Sequence, residues 1–156
     1  MTALRFSRWV KWDDRSTLEG LEYPGIYALA ISRIALSGQK FSLLKSIKYF
    51  GMTNSKAGLK GRLSQFNNTL RDKSGGGHGG ADRFRFDYVD GEKLARILYV
   101  SVVSFECNSR SGLPCDLLVM GKVAMAEYQA FAKYSAQFKQ LPKYNDKQMS
   151  PKHSQR

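Results

Sequence analysis

The chain has 156 residues, 42% hydrophobic and 24% charged, a balance that supports one domain with its own core and excludes dependence on disulfide staples. Its 25 lysines and arginines against 13 acids leave a net charge of +12, which points to a polyanionic partner, nucleic acid before an anionic membrane. No apolar run approaches the ~18 residues of a membrane span and the first dozen residues lack the apolar core of a secretion signal, so a cytoplasmic protein is expected. Cys107 and Cys115 cannot by themselves complete a four-ligand zinc site and read as two reduced structural thiols.

Residues 1–20 mix Trp9 and Trp12 with Arg5, Arg8, Lys11 and Arg15 and read as an N-terminal extension that packs on the domain or reaches toward phosphates. The domain itself is expected over 21–146. After Pro24, residues 25–32 carry strand formers, with Ile26, Ala28 and Ala30 on one face and Tyr27, Leu29 and Ile31 on the other. Residues 33–45 form an insertion with a turn at Ser37-Gly38. A second strand is predicted over 46–52, with Ile47 and Tyr49 on one face and Lys48 and Phe50 on the other. Thr53-Asn54-Ser55 then supplies turn and N-cap chemistry.

The spacing of Leu59, Leu63, Phe66 and Leu70 predicts a helix over 56–72 with one buried face. Arg62 lies about 60° from Leu59 at the border of that stripe, where a long side chain reaches from the core edge into a cleft. The glycine-rich segment 73–81 has His78 at its centre and reads as a loop near substrate; residues 82–94 carry no decisive period. ILYVSVVSF at 97–105 is the buried central strand. A long helix over 116–139 is expected to bury Leu117, Met120, Ala124, Tyr128, Phe131, Ser135 and Phe138. Glu127 sits at the margin of that stripe, where a carboxylate is costly unless paired or bound to a cation. Pro142 ends the helix, Asn145 follows, and residues 147–156 read as a disordered basic tail.

In this order, Gly25-Ile26-Tyr27, Tyr49-Phe50-Gly51, Arg62, Glu127 and Asn145 in LPKYN resemble the signature of the GIY-YIG nuclease superfamily, over nearly all of the chain between extension and tail. Two departures stand out. Residues 28–48 make a longer separation between the tripeptides than is usual, and the helix position four after the arginine, often basic or histidine in such nucleases, is Phe66. Either His78 or a lysine such as Lys48 takes over that supporting role, or it is absent.

The resemblance implies an α/β (α+β) fold with a small central three-stranded mixed sheet flanked by helices. It implies a metal-dependent endonuclease that hydrolyses DNA to 5′-phosphate and 3′-hydroxyl ends, restriction-type or directed at branched or single-stranded structures, with one Mg²⁺ (or Mn²⁺) per site. Glu127 would hold the metal, Tyr27 activate water, Tyr49 orient it, Arg62 fork onto the scissile phosphate, and Asn145 fix Glu127 or the substrate. A phenol with an ordinary pKa near ~10 is a poor base at neutral pH, so Tyr27 needs cationic help. Lys48, Lys56, Lys60, Arg71, Lys73, Arg83 and Arg85 are the cations assigned to the nucleic-acid backbone, with DNA expected over RNA and the protein acting as monomer or homodimer. The alternatives are a non-catalytic nucleic-acid-binding module on the same fold and an RNA-directed nuclease.

Overall fold

The computed structural model describes residues 3–75 and 77–155; Met1, Thr2, Arg156 and Gly76 of the glycine-rich segment lie outside the described residues. The strands are β1 (Val10–Lys11), β2 (Gly25–Ile31), β3 (Ile47–Thr53) and β4 (Leu98–Ser104), and the helices α1 (Gly58–Leu70), α2 (Gly79–Asp87), α3 (Gly91–Ala95) and α4 (Pro114–Phe138). The sheet order is β1-β4-β2-β3 and every neighbouring pair is antiparallel. The fold is therefore mixed α/β, but the expected three-stranded mixed sheet is corrected to four antiparallel strands. β3 and β4 do run in the same direction, yet β2 lies between them, so the α1–α3 crossover creates no parallel pair. The fourth strand is the two-residue β1, pairing Val10 with Val100 and Lys11 with Tyr99.

The N-terminal segment is thus part of the sheet. Trp9 and Trp12 are fully buried, in the cores on opposite faces, and the Trp12 indole N–H donates to Asn67 Oδ1 at 3.0 Å. The insertion 33–45 packs against it: Trp9 and residues 38–39 exchange backbone hydrogen bonds, and the rings of Phe6 and Phe41 stack at 3.9 Å.

The central strand β2 is covered on both faces, as a helix-sandwiched strand must be. Tyr27 and Leu29 enter the core under α1, α2 and α3, with Leu59, Phe66 and Phe84, whereas Ala28 and Ala30 face α4. That split follows the period-two reading of the sequence. In β3 the reading fails: Leu29 pairs with Tyr49 but Ala30 pairs with Ile47, leaving Lys48 without a partner in the register. The extra residue is a bulge, which switches the alternation. Ile47 and Phe50 consequently share the α4-side core, and Tyr49 alone joins Tyr27 on the other face.

Helix α4 is rotated from its predicted face. Its buried residues are Val123, Ala126, Ala130 and Tyr134, while Leu117 and Tyr128 are 53% and 71% exposed. The cause lies on the sheet. The strand residues packed with the helix are Ile26, Ala28, Ala30, Ile47 and Phe50, and the small Ala126 and Ala130 of the helix fit among them. No helix among the described residues is long and apolar enough to cross a membrane, and both cysteines are free.

The described part of the segment expected to be a disordered tail, residues 147–155, is ordered together with the end of the domain before it. Lys143–Asn145 and His153–Gln155 form 3-10 turns. Ser150 is buried, its carbonyl accepts from Arg83, and Ser154 donates from both backbone and hydroxyl to Asp82. The segment therefore folds back over α2, held by side chains that compositional reading counts as solvated.

Candidate active site

Four elements and the returning tail enclose a cavity of about 460 Å³. Tyr49 comes from β3, Arg62 from α1, Gly79, Gly80 and Arg83 from α2, and Glu127 with Tyr128 and Phe131 from α4; Tyr144, Asn145, Lys147 and Lys152 close the remaining side. Residues far apart in sequence thus meet on one wall. Arg62, Arg83, Lys147 and Lys152 surround the single carboxylate of Glu127, so the cavity attracts anions.

Two glycines make the tyrosine arrangement sterically possible. A Cβ on Gly51 would lie 2.3 Å from Tyr27 Cζ, and one on Gly80 would lie 2.6 Å from Tyr49 Cζ. Each phenol ring lies against a backbone where any side chain would collide. The rings of Tyr27 and Tyr49 are 6.1 Å apart. Tyr49 is half-buried on the cavity wall, whereas Tyr27 has no exposed surface and stands behind it.

Burial pushes the Tyr27 hydroxyl well above the ordinary phenol range, and neighbouring Tyr49 adds to this while Arg62 opposes it. Tyr49 is raised by burial too, again opposed by Arg62 and by a hydrogen bond from Tyr27. Both phenols are therefore protonated at neutral pH in the protein alone. The Arg62 guanidinium donates from Nη1 to Gln65 at 3.0 Å, but its Nε is buried without a hydrogen-bond partner. An unsatisfied buried donor costs on the order of 1–3 kcal/mol.

Glu127 is half-buried, and among the described residues no hydrogen bond or ion pair holds it. Burial raises its pKa, offset in part by the through-space pull of Arg62 and Lys147. Among the described residues no three His, Cys, Asp or Glu side chains cluster as a metal cage. One free carboxylate beside an open, water-accessible cavity fits instead a hard divalent ion such as Mg²⁺, which takes one or two protein carboxylates and fills its other positions with water and phosphate oxygens.

His78 enters the site from the end of the glycine-rich segment. Thr69 Oγ1 accepts from the backbone N–H groups of Gly77 and His78 at 2.9 and 3.0 Å, fastening the segment to α1. The imidazole is fully buried, its Nε2 lies 2.7 Å from Tyr27 Oη, and its edge meets the Phe66 ring at a centroid distance of 5.0 Å. Phe66 thus belongs to the core that supports His78. Lys48, the other candidate for the supporting role, is off the cavity wall and donates to the Lys45 carbonyl at 3.1 Å.

Asn145 has a different task from the one expected. Its side-chain amide donates to the Phe50 carbonyl and accepts from the Phe50 N–H, both at 2.8 Å. β3 is the edge strand of the sheet, so this side chain supplies the pairing that a further strand would. Among the described residues it makes no hydrogen bond to Glu127, and while it holds the β3 backbone it also lines the cavity. Asn145→Ala is expected to lower stability by about 1–3 kcal/mol, from the two lost backbone partners, and to free the segment carrying Lys147 and Lys152; denaturant melts and limited proteolysis after residue 140 check both.

Two of the cations assigned to nucleic acid are structural. Arg71 bonds Asn67, Asp13 and Glu92. Arg85 is 5% exposed, donates to the carbonyls of Leu70, Tyr88 and Val89, and pairs with Asp72 at 2.9 Å. Arg85→Ala leaves three carbonyls without their donor and is expected to cost on the order of 3 kcal/mol in a denaturant melt. Lys56, Lys60 and Lys73 are exposed and lie off this cavity, and Arg83 is on its wall. Lys147 and Lys152 were missed because the tail reads as solvated; the one available sign was Asp146, whose carboxylate accepts from the N–H groups of Gln148 and Met149 in a local turn. Comparison with protein-family models, characterised proteins and solved structures finds no match to this chain.

Proposed function

We propose that the chain is a divalent-metal-dependent endonuclease of the GIY-YIG type, acting on DNA at this cavity. The carrying observation is the convergence of Tyr49, Arg62 and Glu127 on one basic wall, with the Arg62 Nε buried and unpaired and Glu127 held by no hydrogen bond or ion pair among the described residues. A protein that only needed to fold would gain by pairing both or leaving them in water.

The residues divide the work of phosphodiester hydrolysis. Arg62 forks onto the scissile phosphate, where its charge matches the charge that builds in the transition state. Arg83, Lys147 and Lys152 hold the flanking backbone. Tyr49 meets the attacking water or a phosphate oxygen, with Tyr27 behind it. Glu127 would hold the metal, and a Mg²⁺ there would polarise the phosphate and lower the pKa of bound water. Neither phenol is ionised in the protein alone, so any proton it accepts from water must be matched by one it releases.

The test is a panel of supercoiled, linear, branched and single-stranded DNA, with RNA in parallel, incubated in Mg²⁺ or EDTA with end mapping. Cleavage that needs metal and leaves 5′-phosphates supports the reading. Cleavage in EDTA overturns the metal role. Salt-dependent binding with no cut on any substrate shows the non-catalytic module instead, and preference for RNA shows the RNA-directed enzyme.

A further inference from the structure

His78 is bound at both ring nitrogens, and the two bonds together decide where its proton is. Nδ1 lies 3.1 Å from the Gly80 amide nitrogen and 3.3 Å from that of Ala81. Those amides are donors only, so Nδ1 must offer a lone pair. The imidazole serves as the N-cap of α2, the position that usually carries Asp, Asn, Ser or Thr. A neutral ring whose Nδ1 accepts carries its hydrogen on Nε2. Nε2 faces Tyr27 Oη at 2.7 Å, so the ring donates and the phenol oxygen accepts.

We infer that His78 is a positioning residue for the proposed nuclease site: the capping of α2 locks it as an Nε2–H donor to Tyr27, which turns the Tyr27 hydroxyl hydrogen toward Tyr49 and the cavity. This rests on the nuclease reading for its consequence, though not for its geometry. His78 is then not the base that removes the Tyr27 proton. It polarises the Tyr27 hydroxyl as a donor toward Tyr49 and fixes the ring's direction, and it keeps doing so in acid, because burial and the facing Arg62 depress its pKa to about 3. The other ionisable groups facing the ring are Tyr27 and Tyr49. Phe66 closes the remaining side with an edge contact at 74°. A loop residue thereby occupies the place that the helix position of Phe66 leaves to it, and the cap that orders α2 also sets the tautomer.

The direct test is the imidazole nitrogen–proton correlation spectrum of the full chain labelled with ¹⁵N, with His153→Gln to assign the two histidines. The expected pattern is hydrogen on Nε2 and none on Nδ1, unchanged between pH 8 and pH 5. Hydrogen on Nδ1, or a doubly protonated ring at pH 5, overturns the proposal. The second arm is His78→Asn, since asparagine retains the helix cap but is too short to reach Tyr27. Loss of the donor that orients and polarises the Tyr27 hydroxyl behind Tyr49 predicts a roughly 10- to 100-fold fall in kcat with KM unchanged, at a melting temperature near that of the wild type at pH 7.5. An unchanged kcat overturns the positioning role. If the wild type cleaves nothing, the nuclease reading falls while the spectrum still decides the direction of the bond; if the asparagine variant fails to fold, the spectrum again decides.

Discussion

Glu127→Gln will give a folded protein that no longer cleaves nucleic acid in Mg²⁺, with a rate at least roughly 10³-fold below the wild type, the scale of losing a group that carries transition-state charge in a preorganised site. The substitution keeps the shape of the side chain and removes its charge. Because no group among the described residues hydrogen-bonds Glu127, the amide orphans no partner there. Its raised pKa means that folding disfavours the ionised form, so a neutral amide is expected to leave the melting temperature unchanged or to raise it. Activity and stability then move apart, as they do where a fold tolerates a poorly placed charge for the sake of a ligand. A Mg²⁺ titration of plasmid cleavage paired with a thermal melt reads both. Retained cleavage, or a melt that collapses with the activity, would show that Glu127 is a structural carboxylate.

The wild type will lose about 2 kcal/mol of stability between pH 7 and pH 5 on account of His78, from a shift of about 1.4 kcal/mol per pH unit. The imidazole is held neutral by burial and by Arg62, with its pKa lowered from 6.5 to about 3. The unfolded chain takes up a proton below 6.5 and the folded chain does not until about 3, so protons favour unfolding throughout that window. The stabilisation is complete above 6.5 and declines as the pH falls. For a domain of this size the loss corresponds to a melting temperature lower by about 4–8 °C at pH 5. His78→Asn has no proton to accept and is expected to flatten the curve between pH 7 and 5, leaving only the fall that the carboxylates cause at lower pH. Parallel melting curves for the two proteins would place His78 in contact with water.

The candidate site was legible to different depths at different residues. Tyr27, Tyr49, Arg62 and Glu127 were singled out together by their order along the chain, which resembles the GIY-YIG signature, and periodicity added a defined face for Tyr27 and a border position for Arg62. The same logic misled where a local rule was interrupted. The bulge at Lys48 moves Ile47 to the face of Phe50, and no residue type at that position announces it. Helix α4 turns its alanines to the sheet, where Ala126 and Ala130 fit among Ile26, Ala28, Ala30, Ile47 and Phe50, a match between segments separated by the middle of the chain. Hydrophobicity alone ranked Leu117 and Tyr128 above those alanines.

Charge was the least legible property, because sequence counts cations without saying which are already paired. Arg71 and Arg85 read like Arg83, yet acids and carbonyls hold the first two away from the cavity, while Arg83, which also donates to the Ser150 carbonyl, lines it. Asn145 carried a place in the motif, and the exposed edge of β3 gave it a different partner. By itself the sequence determined the types of β2, β3, β4, α1 and α4, the faces of β2 and the excess of cations, since these follow from backbone preference and side-chain chemistry over a few residues. Only the tertiary structure decided which of them meet: that Tyr27 is enclosed while Tyr49 faces the cavity, that a loop histidine caps a helix and reaches Tyr27, and that the tail brings two lysines to the wall. Those outcomes depend on contacts between distant segments, where packing volume and the pairing of each buried polar group select one arrangement from many that local preference allows.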